Sequence, residues 1–177
     1  MKILVFSDLH GSLENLDNVL SNFKFDRIFG LGDYGAYLEE LNSRDVFGVR
    51  GNAYFDPDYE IDRIIEIEGF KILLTHGHTH NVRGSRLRLK LFAQEKGVDI
   101  VFYGHTHIAL IEESDGIYLI NPGSISIPYY PSFPTFIIMD IEKRSATIKI
   151  LDAITLSLFS EIKIKKWKMI WTLLKMK

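Results

Sequence analysis

Five largely apolar runs in this chain break off at polar residues, four of them beside a glycine. ILVF at 3–6 stops at Ser7-Asp8, RIFGL at 27–31 at Gly32-Asp33, and VFGV at 46–49 just before Gly51-Asn52. FKILL at 70–74 leads into His76-Gly77, and DIVFY at 99–103 into Gly104-His105. A run that is apolar at consecutive positions suits a strand buried on both faces. A helix is expected between the first two runs, with Ser12 as its cap and Leu13, Leu16, Leu20 and Phe23 near helical spacing. Strand, crossover, strand is the pattern of a parallel sheet, in which ligands bind outside the carboxyl ends of the strands.

The remaining segments complete one α/β domain. IDRIIEIEG and FKILLTHG read as an antiparallel hairpin, and a second helix is expected over roughly Ser85 to Glu95. IALIEES, GIYLINPG, TFIIMDIE and ATIKILD then follow as strands alone. The domain is placed at 1–152, with 153–177 as a basic, Trp-containing extension that is not an independent domain. Within that extension Trp167, Ile170, Trp171 and Leu174 fall at i, i+3, i+4 and i+7, predicting a helix with one apolar stripe. Residues 161–177 hold six lysines against one glutamate, a local +5 in a chain whose total is −2. Such a segment suits self-packing, a second subunit, a partner or an anionic membrane surface, reached through residues 162–177.

Charge and composition exclude several classes. A net charge of −2 does not supply the basic surface that long nucleic acids require. With no cysteine, disulfides and thiolate metal sites are impossible. Five apolar residues at 1–6 are too few for a signal-peptide core, so a cytoplasmic location is expected.

All six histidines lie in three stretches, FSDLHGS, LLTHGHTHN and FYGHTHIAL. Asp8, His10, Asp33, Asn52, His76, His105 and His107 together offer two carboxylates, one amide oxygen and four imidazoles. Those donors suit manganese, iron, nickel, cobalt or zinc better than calcium or magnesium alone. Seven donors exceed one tetrahedral site, and two ions sharing a carboxylate is the natural count. In extended chain, residues i and i+2 point the same way, so Asp8 with His10, and His105 with His107, can each aim a pair of donors into one cleft.

The ordered set DLHG, GD, GN, HGH and GHTH, followed by NPGS at 121–124, resembles the calcineurin-like metallophosphoesterase superfamily, in particular its small single-domain phosphodiesterases. The resemblance covers roughly 1–151 and implies a four-layer α/β/β/α sandwich of two mixed sheets with two divalent ions, manganese first, with nickel, iron, cobalt and zinc as alternatives. It implies that Asp8, His10, Asp33 and His107 hold one ion and that Asp33, Asn52, His76 and His105 hold the other. Two such ions ~3.5 to 4 Å apart can clamp a phosphoryl group and acidify water, so hydroxide is expected to attack phosphorus in line. Asp33, Asn52 and His78 are expected at the reacting centre, with His78 touching phosphate oxygens.

Arg50, Arg83 and Tyr129 are further candidates for contact with a small phosphorylated substrate. His80 is expected to extend the loop after His78, and Arg86, Arg88 and Lys90 to form a solvated helix face. Two departures from the family stand out. Many relatives carry a histidine after the Asn, where this chain has Ala53. Close relatives often place an arginine after NPGS, where this chain reads SIPYYP, offering Tyr129 and Tyr130. The superfamily also includes a retromer scaffold subunit with an impaired metal site, so a non-catalytic interaction module is the alternative reading. Nuclease action on small nucleic-acid fragments ranks lower.

Overall fold

The computed structural model describes residues 1–36, 38–129 and 132–166. In chain order the elements are β1 (Lys2–Phe6), α1 (Glu14–Asn22), β2 (Arg27–Gly30), α2 (Leu38–Asn42), β3 (Val46–Gly48), β4 (Asp62–Ile67) and β5 (Phe70–Thr75). After a single 3₁₀ turn at His78–His80 come α3 (Leu87–Lys96), β6 (Ile100–Tyr103), β7 (Ala109–Ser114), β8 (Ile117–Pro122), β9 (Thr135–Glu142), β10 (Ser145–Asp152) and β11 (Leu158–Lys165). One sheet runs β11-β10-β9-β1-β2-β3 and the other β4-β5-β6-β8-β7.

Strand sequences explain the layering. Ile3 and Val5 of β1 point between the sheets, where they pack in one cluster with Ile72 and Leu74 of β5 and Ile100 and Phe102 of β6. The alternate residues Leu4 and Phe6 face outward, against Leu16 and Val19 of α1 and Leu41 of α2. On the far side, Leu73, Val101 and Tyr103 pack against Leu89 and Ala93 of α3. A strand covered on both faces buries successive side chains in different cores, so its sequence is continuously apolar. The result is the expected α/β/β/α sandwich of two mixed sheets.

Parallel pairing sets the polarity. β1, β2 and β3 run parallel, as do β5, β6 and β8. The carboxyl ends of the first sheet's parallel strands lead to Asp8, Asp33 and Asn52, and those of β5 and β6 lead to His76 and His105. The β4–β5 hairpin closes at Glu68-Gly69, both with positive φ, between paired Ile67 and Phe70, as a two-residue hairpin turn requires.

Several local expectations are corrected. Ser12 does not cap α1: its N–H closes a turn onto the Leu9 carbonyl and its own carbonyl accepts from Ser126 Oγ. The helix starts at Glu14, with Leu13 at the cap position and no side-chain cap bond. The second helix runs Leu87–Lys96 rather than from Ser85, and the five-residue α2 was not expected. The sheet also continues past residue 152, because β11 pairs antiparallel with β10 from Leu158 to Lys165. Ile162 and Ile164 face the inter-sheet core while Glu161, Lys163 and Lys165 alternate with them, so residues 162–165 belong to this strand. The helix expected from Trp167 to Leu174, and Tyr130, lie outside the described residues. Among the described residues no helix is long and apolar enough to cross a membrane.

Candidate metal centre

The strand ends gather their polar residues into two clusters. Ligating atoms of Asp8, His10 and His107 lie within 4.8 Å of one another, and so do those of Asp33, His76 and His105. Asn52 joins the second cluster, its Oδ1 3.2 Å from His76 Nε2. The clusters are linked through backbone, since the His105 N–H donates to Asp8 Oδ2 at 3.1 Å. Asp33 falls in the second cluster.

The local backbone is unusual. Asp8, His10, Asp33, His105 and His107 all have positive φ, between 47° and 68°. Left-handed conformations at non-glycine residues cost of order 1–3 kcal/mol each and persist where the surrounding structure holds them, often at functional sites. Five of the seven candidate ligands share this feature, which places a functional demand at these loops independently of any motif.

Backbone carbonyls fix the tautomers of two of the histidine rings. His76 Nδ1 lies 2.7 Å from the Leu31 carbonyl, and His107 Nδ1 lies 2.6 Å from the Ile127 carbonyl. A carbonyl only accepts, so each neutral ring carries its proton on Nδ1 and leaves Nε2 as a bare lone pair. His76 Nε2 then faces His105 Nδ1 at 3.2 Å and Asp33 Oδ2 at 3.4 Å. His107 Nε2 faces His10 Nε2 at 3.2 Å and Asp8 Oδ1 at 3.1 Å. Asp8 Oδ1 is buried and has no hydrogen-bond partner. Lone pairs and carboxylate oxygens converging in this way repel unless a proton or a cation sits among them. The donor set therefore fits divalent cations that accept imidazole and carboxylate together.

Titration behaviour follows from the same geometry. Burial alone would raise the Asp33 carboxyl, but the His76 contact and the N–H groups of Ala53 and Asn52 hold it well below the usual carboxylate range. Burial likewise opposes charge on His76, yet Asp33 and Asp8 outweigh it and raise its pKa. Contact with Asp8 raises His107. Burial, with the charges of His76 and Arg83, pushes His105 down to about 4. In the cation-free protein, therefore, His76 and His107 bind protons more tightly than free imidazole, and a cation must displace them. Apparent Mn²⁺ affinity should accordingly tighten by roughly 10- to 100-fold from pH 6 to pH 8, with proton release. Calorimetry in buffers of different ionisation enthalpy reads this directly; pH-independent binding without proton release would refute it.

Neighbouring residues hold the ligands in place. Asn52 N–H and Ala53 N–H both donate to Asp33 Oδ1 at 2.7 Å. Asp56, which sequence reasoning passed over, accepts the N–H groups of Asp33 at 2.7 Å, Tyr34 at 2.6 Å and Gly51 at 2.7 Å, tying the β2 and β3 loops together. The NPGS motif acts in the same way. Asn121 Nδ2 donates to the Gly104 carbonyl at 2.9 Å, and Ser124 Oγ to the Asp8 carbonyl at 2.7 Å.

The other candidates divide. His78 stands beside the second cluster, its ring centroid 5.4 Å from that of His76, with Nδ1 buried and unpartnered. Arg83 reaches the centre by donating to the His105 carbonyl, and Tyr129 lines a cavity together with His107. Arg50 is instead paired with Asp58 at 3.1 Å on the surface. His80 is held by Asp62 at 3.1 Å and lies against Phe92, a satisfied position rather than an open loop.

Comparison with known proteins adds independent findings. The profile of the calcineurin-like phosphoesterase superfamily domain matches residues 1–144. A Bacillus subtilis (strain 168) protein named probable metallophosphoesterase YsnB is 31% identical over 154 residues, covering 86% of this chain and 91% of that protein. The crystal structure of a predicted phosphoesterase from Streptococcus pneumoniae TIGR4 aligns with TM-score 0.81 at 25% identity, over 93% of this chain and 97% of the other. A Vps29 variant from Entamoeba histolytica aligns with TM-score 0.77 at 25% identity, over 94% and 100% of the two chains.

Proposed function

The chain belongs to the calcineurin-like phosphoesterase superfamily, and from that premise we propose that it is a two-ion phosphoesterase that hydrolyses phosphodiester bonds of a small substrate. The observation that carries this is the convergence of Nε2 of His76 and His107, each the free lone pair of the neutral ring because Nδ1 donates to a carbonyl, on the Asp33 and Asp8 carboxylates. Asp8, His10, Asp33 and His107 would hold one divalent ion and Asp33, Asn52, His76 and His105 the other, with manganese the first choice. When bound, such ions supply Lewis acidity toward a phosphoryl group and acidify water to a pKa near 7.

The chain's own residues do the rest. Asp33 remains ionised and is fixed by two backbone donors, so it cannot swing away as charge develops. His78 presents a nitrogen donor toward phosphate oxygens beside His76. Arg83, anchored on the His105 carbonyl, adds positive charge that draws an anionic ester to the mouth of the site.

Nothing at position 53 can protonate a departing alkoxide, since Ala53 contributes only its backbone N–H, which is spent on Asp33. General acid catalysis is typically worth ~10² to 10⁴-fold. Rates on aryl phosphodiesters should therefore fall steeply as leaving-group pKa rises; a flat dependence would contradict an unassisted departure. The defining test is chelation followed by re-addition of single divalent ions, with hydrolysis of bis(p-nitrophenyl) phosphate as readout. Activity restored by manganese supports the proposal. Failure with every ion leaves the interaction module, for which the Vps29 likeness and Ala53 speak, as the better reading.

A further inference from the structure

A cavity of about 510 Å³ opens beside His107, between Val82–Arg86 and the segment from Thr106 to Leu110. We propose that it is the subsite for the non-reacting arm of the ester, and that this arm is a nucleoside or a comparably flat aromatic group. The inference rests on the phosphoesterase reading above.

Three features define what the cavity accepts. Its size falls within the ~300 to 1,000 Å³ typical of small-molecule sites. Its walls are apolar where a polar metal centre alone would not need them: Tyr129 is 66% and Ile108 49% exposed, with Leu110 beside them. A water-exposed phenol ring next to a branched aliphatic side chain offers a stacking face and a sandwiching wall, which suit a planar group of either base class.

Charge narrows the choice further. Arg86 has its charge met by Glu112 at 2.6 Å, so it contributes donors rather than net charge. Arg83 forms no ion pair among the described residues, and its hydrogen bonds run from Nε and Nη2 to the His105 carbonyl. The cavity thus adds one guanidinium without an ion-pair partner among the described residues to the charge of the two-ion centre beside it. A simple sugar phosphate would leave the apolar wall unused. The arm would lie against Tyr129 and Ile108 while its phosphate sits between Arg83 and the His107 cluster.

Two substrates that release the same p-nitrophenol separate this subsite from the chemistry: thymidine 5′-(p-nitrophenyl phosphate) and methyl p-nitrophenyl phosphate. The full-length manganese-loaded protein should favour the thymidine diester at least about tenfold in kcat/KM, carried mainly by KM. Tyr129→Ala and Ile108→Asp should each cut that ratio by roughly tenfold. Equal kcat/KM for the two diesters, or a ratio that both variants leave unchanged, overturns the subsite while the phosphoesterase reading stands. If neither diester is cleaved with any ion, that reading fails, and equilibrium dialysis of thymidine 5′-phosphate against the chelated protein decides the subsite alone. Binding weakened by both variants upholds it; no binding, or binding indifferent to them, overturns it.

Discussion

Asp33→Asn should lower hydrolysis of bis(p-nitrophenyl) phosphate by about 10³-fold or more, equivalent to roughly 4 kcal/mol of transition-state stabilisation, while leaving the fold intact. An amide oxygen can keep both backbone contacts that Asp33 Oδ1 makes, from Asn52 and Ala53. The NH₂ group would then replace Oδ2 beside His76 Nε2, now 3.4 Å away, and give that bare nitrogen a donor. The substitution thus satisfies the lone pair that a cation would otherwise meet and removes the negative charge that would hold it. The chelated variant should unfold within a few degrees of the chelated parent. Added manganese should raise the parent's unfolding temperature but not the variant's. For the parent, ion at 100 times its dissociation constant stabilises by ~2.7 kcal/mol, or about 5–11 °C for a chain of this size. Retention of more than a tenth of the activity, or an undiminished manganese-induced shift, would remove Asp33 from the centre.

The parts of this molecule that a reader of the sequence can see are those where one residue type answers to one physical demand. β1, β5 and β6 were legible because burial between two layers confines polar residues to positions near the strand termini, as at Lys2 and Lys71. The ligand set was legible because histidine is scarce in the chain and confined to three stretches. β11 was obscured by its lysines: a strand lying at the edge of its sheet carries charge on the uncovered face, and its Ile162–Ile164 alternation was lost beneath the basic composition. Ser12 looks like a cap in one dimension, but the left-handed backbone at His10 and Gly11 turns the chain so that its N–H closes the Leu9 turn instead. Asp56 gave no signal at all. Its three bonds go to backbone N–H groups, two of them more than twenty residues away, and backbone donors leave no mark on side-chain spacing.

The contact that Asp56 makes also predicts a severe single-methyl change. A Cβ on Gly51 would overlap the Asp33 backbone nitrogen and Oδ1, and would lie 2.6 Å from Asp56 Oδ2. Neither neighbour can retreat cheaply. Asp33 is pinned by Asn52, Ala53 and Asp56, and Asp56 Oδ2 also accepts the Gly51 N–H itself at 2.7 Å. Gly51→Ala must therefore force the β2 and β3 loops apart, moving Asp33 relative to Asn52. Overpacking of a filled site costs about 1–3 kcal/mol or more, or roughly 2–12 °C in unfolding temperature, and misplacing a reacting constellation by about 1 Å can cost 10²-fold in rate. Gly116→Ala is the clash-free control: it has positive φ at 78° but nothing within 4 Å of the added methyl, so it bears only the left-handed backbone cost of about 1–2 kcal/mol and should keep full activity. If the two variants kept the same activity, the close approach of the β3 loop to Asp33 would not be what sets the geometry of the centre.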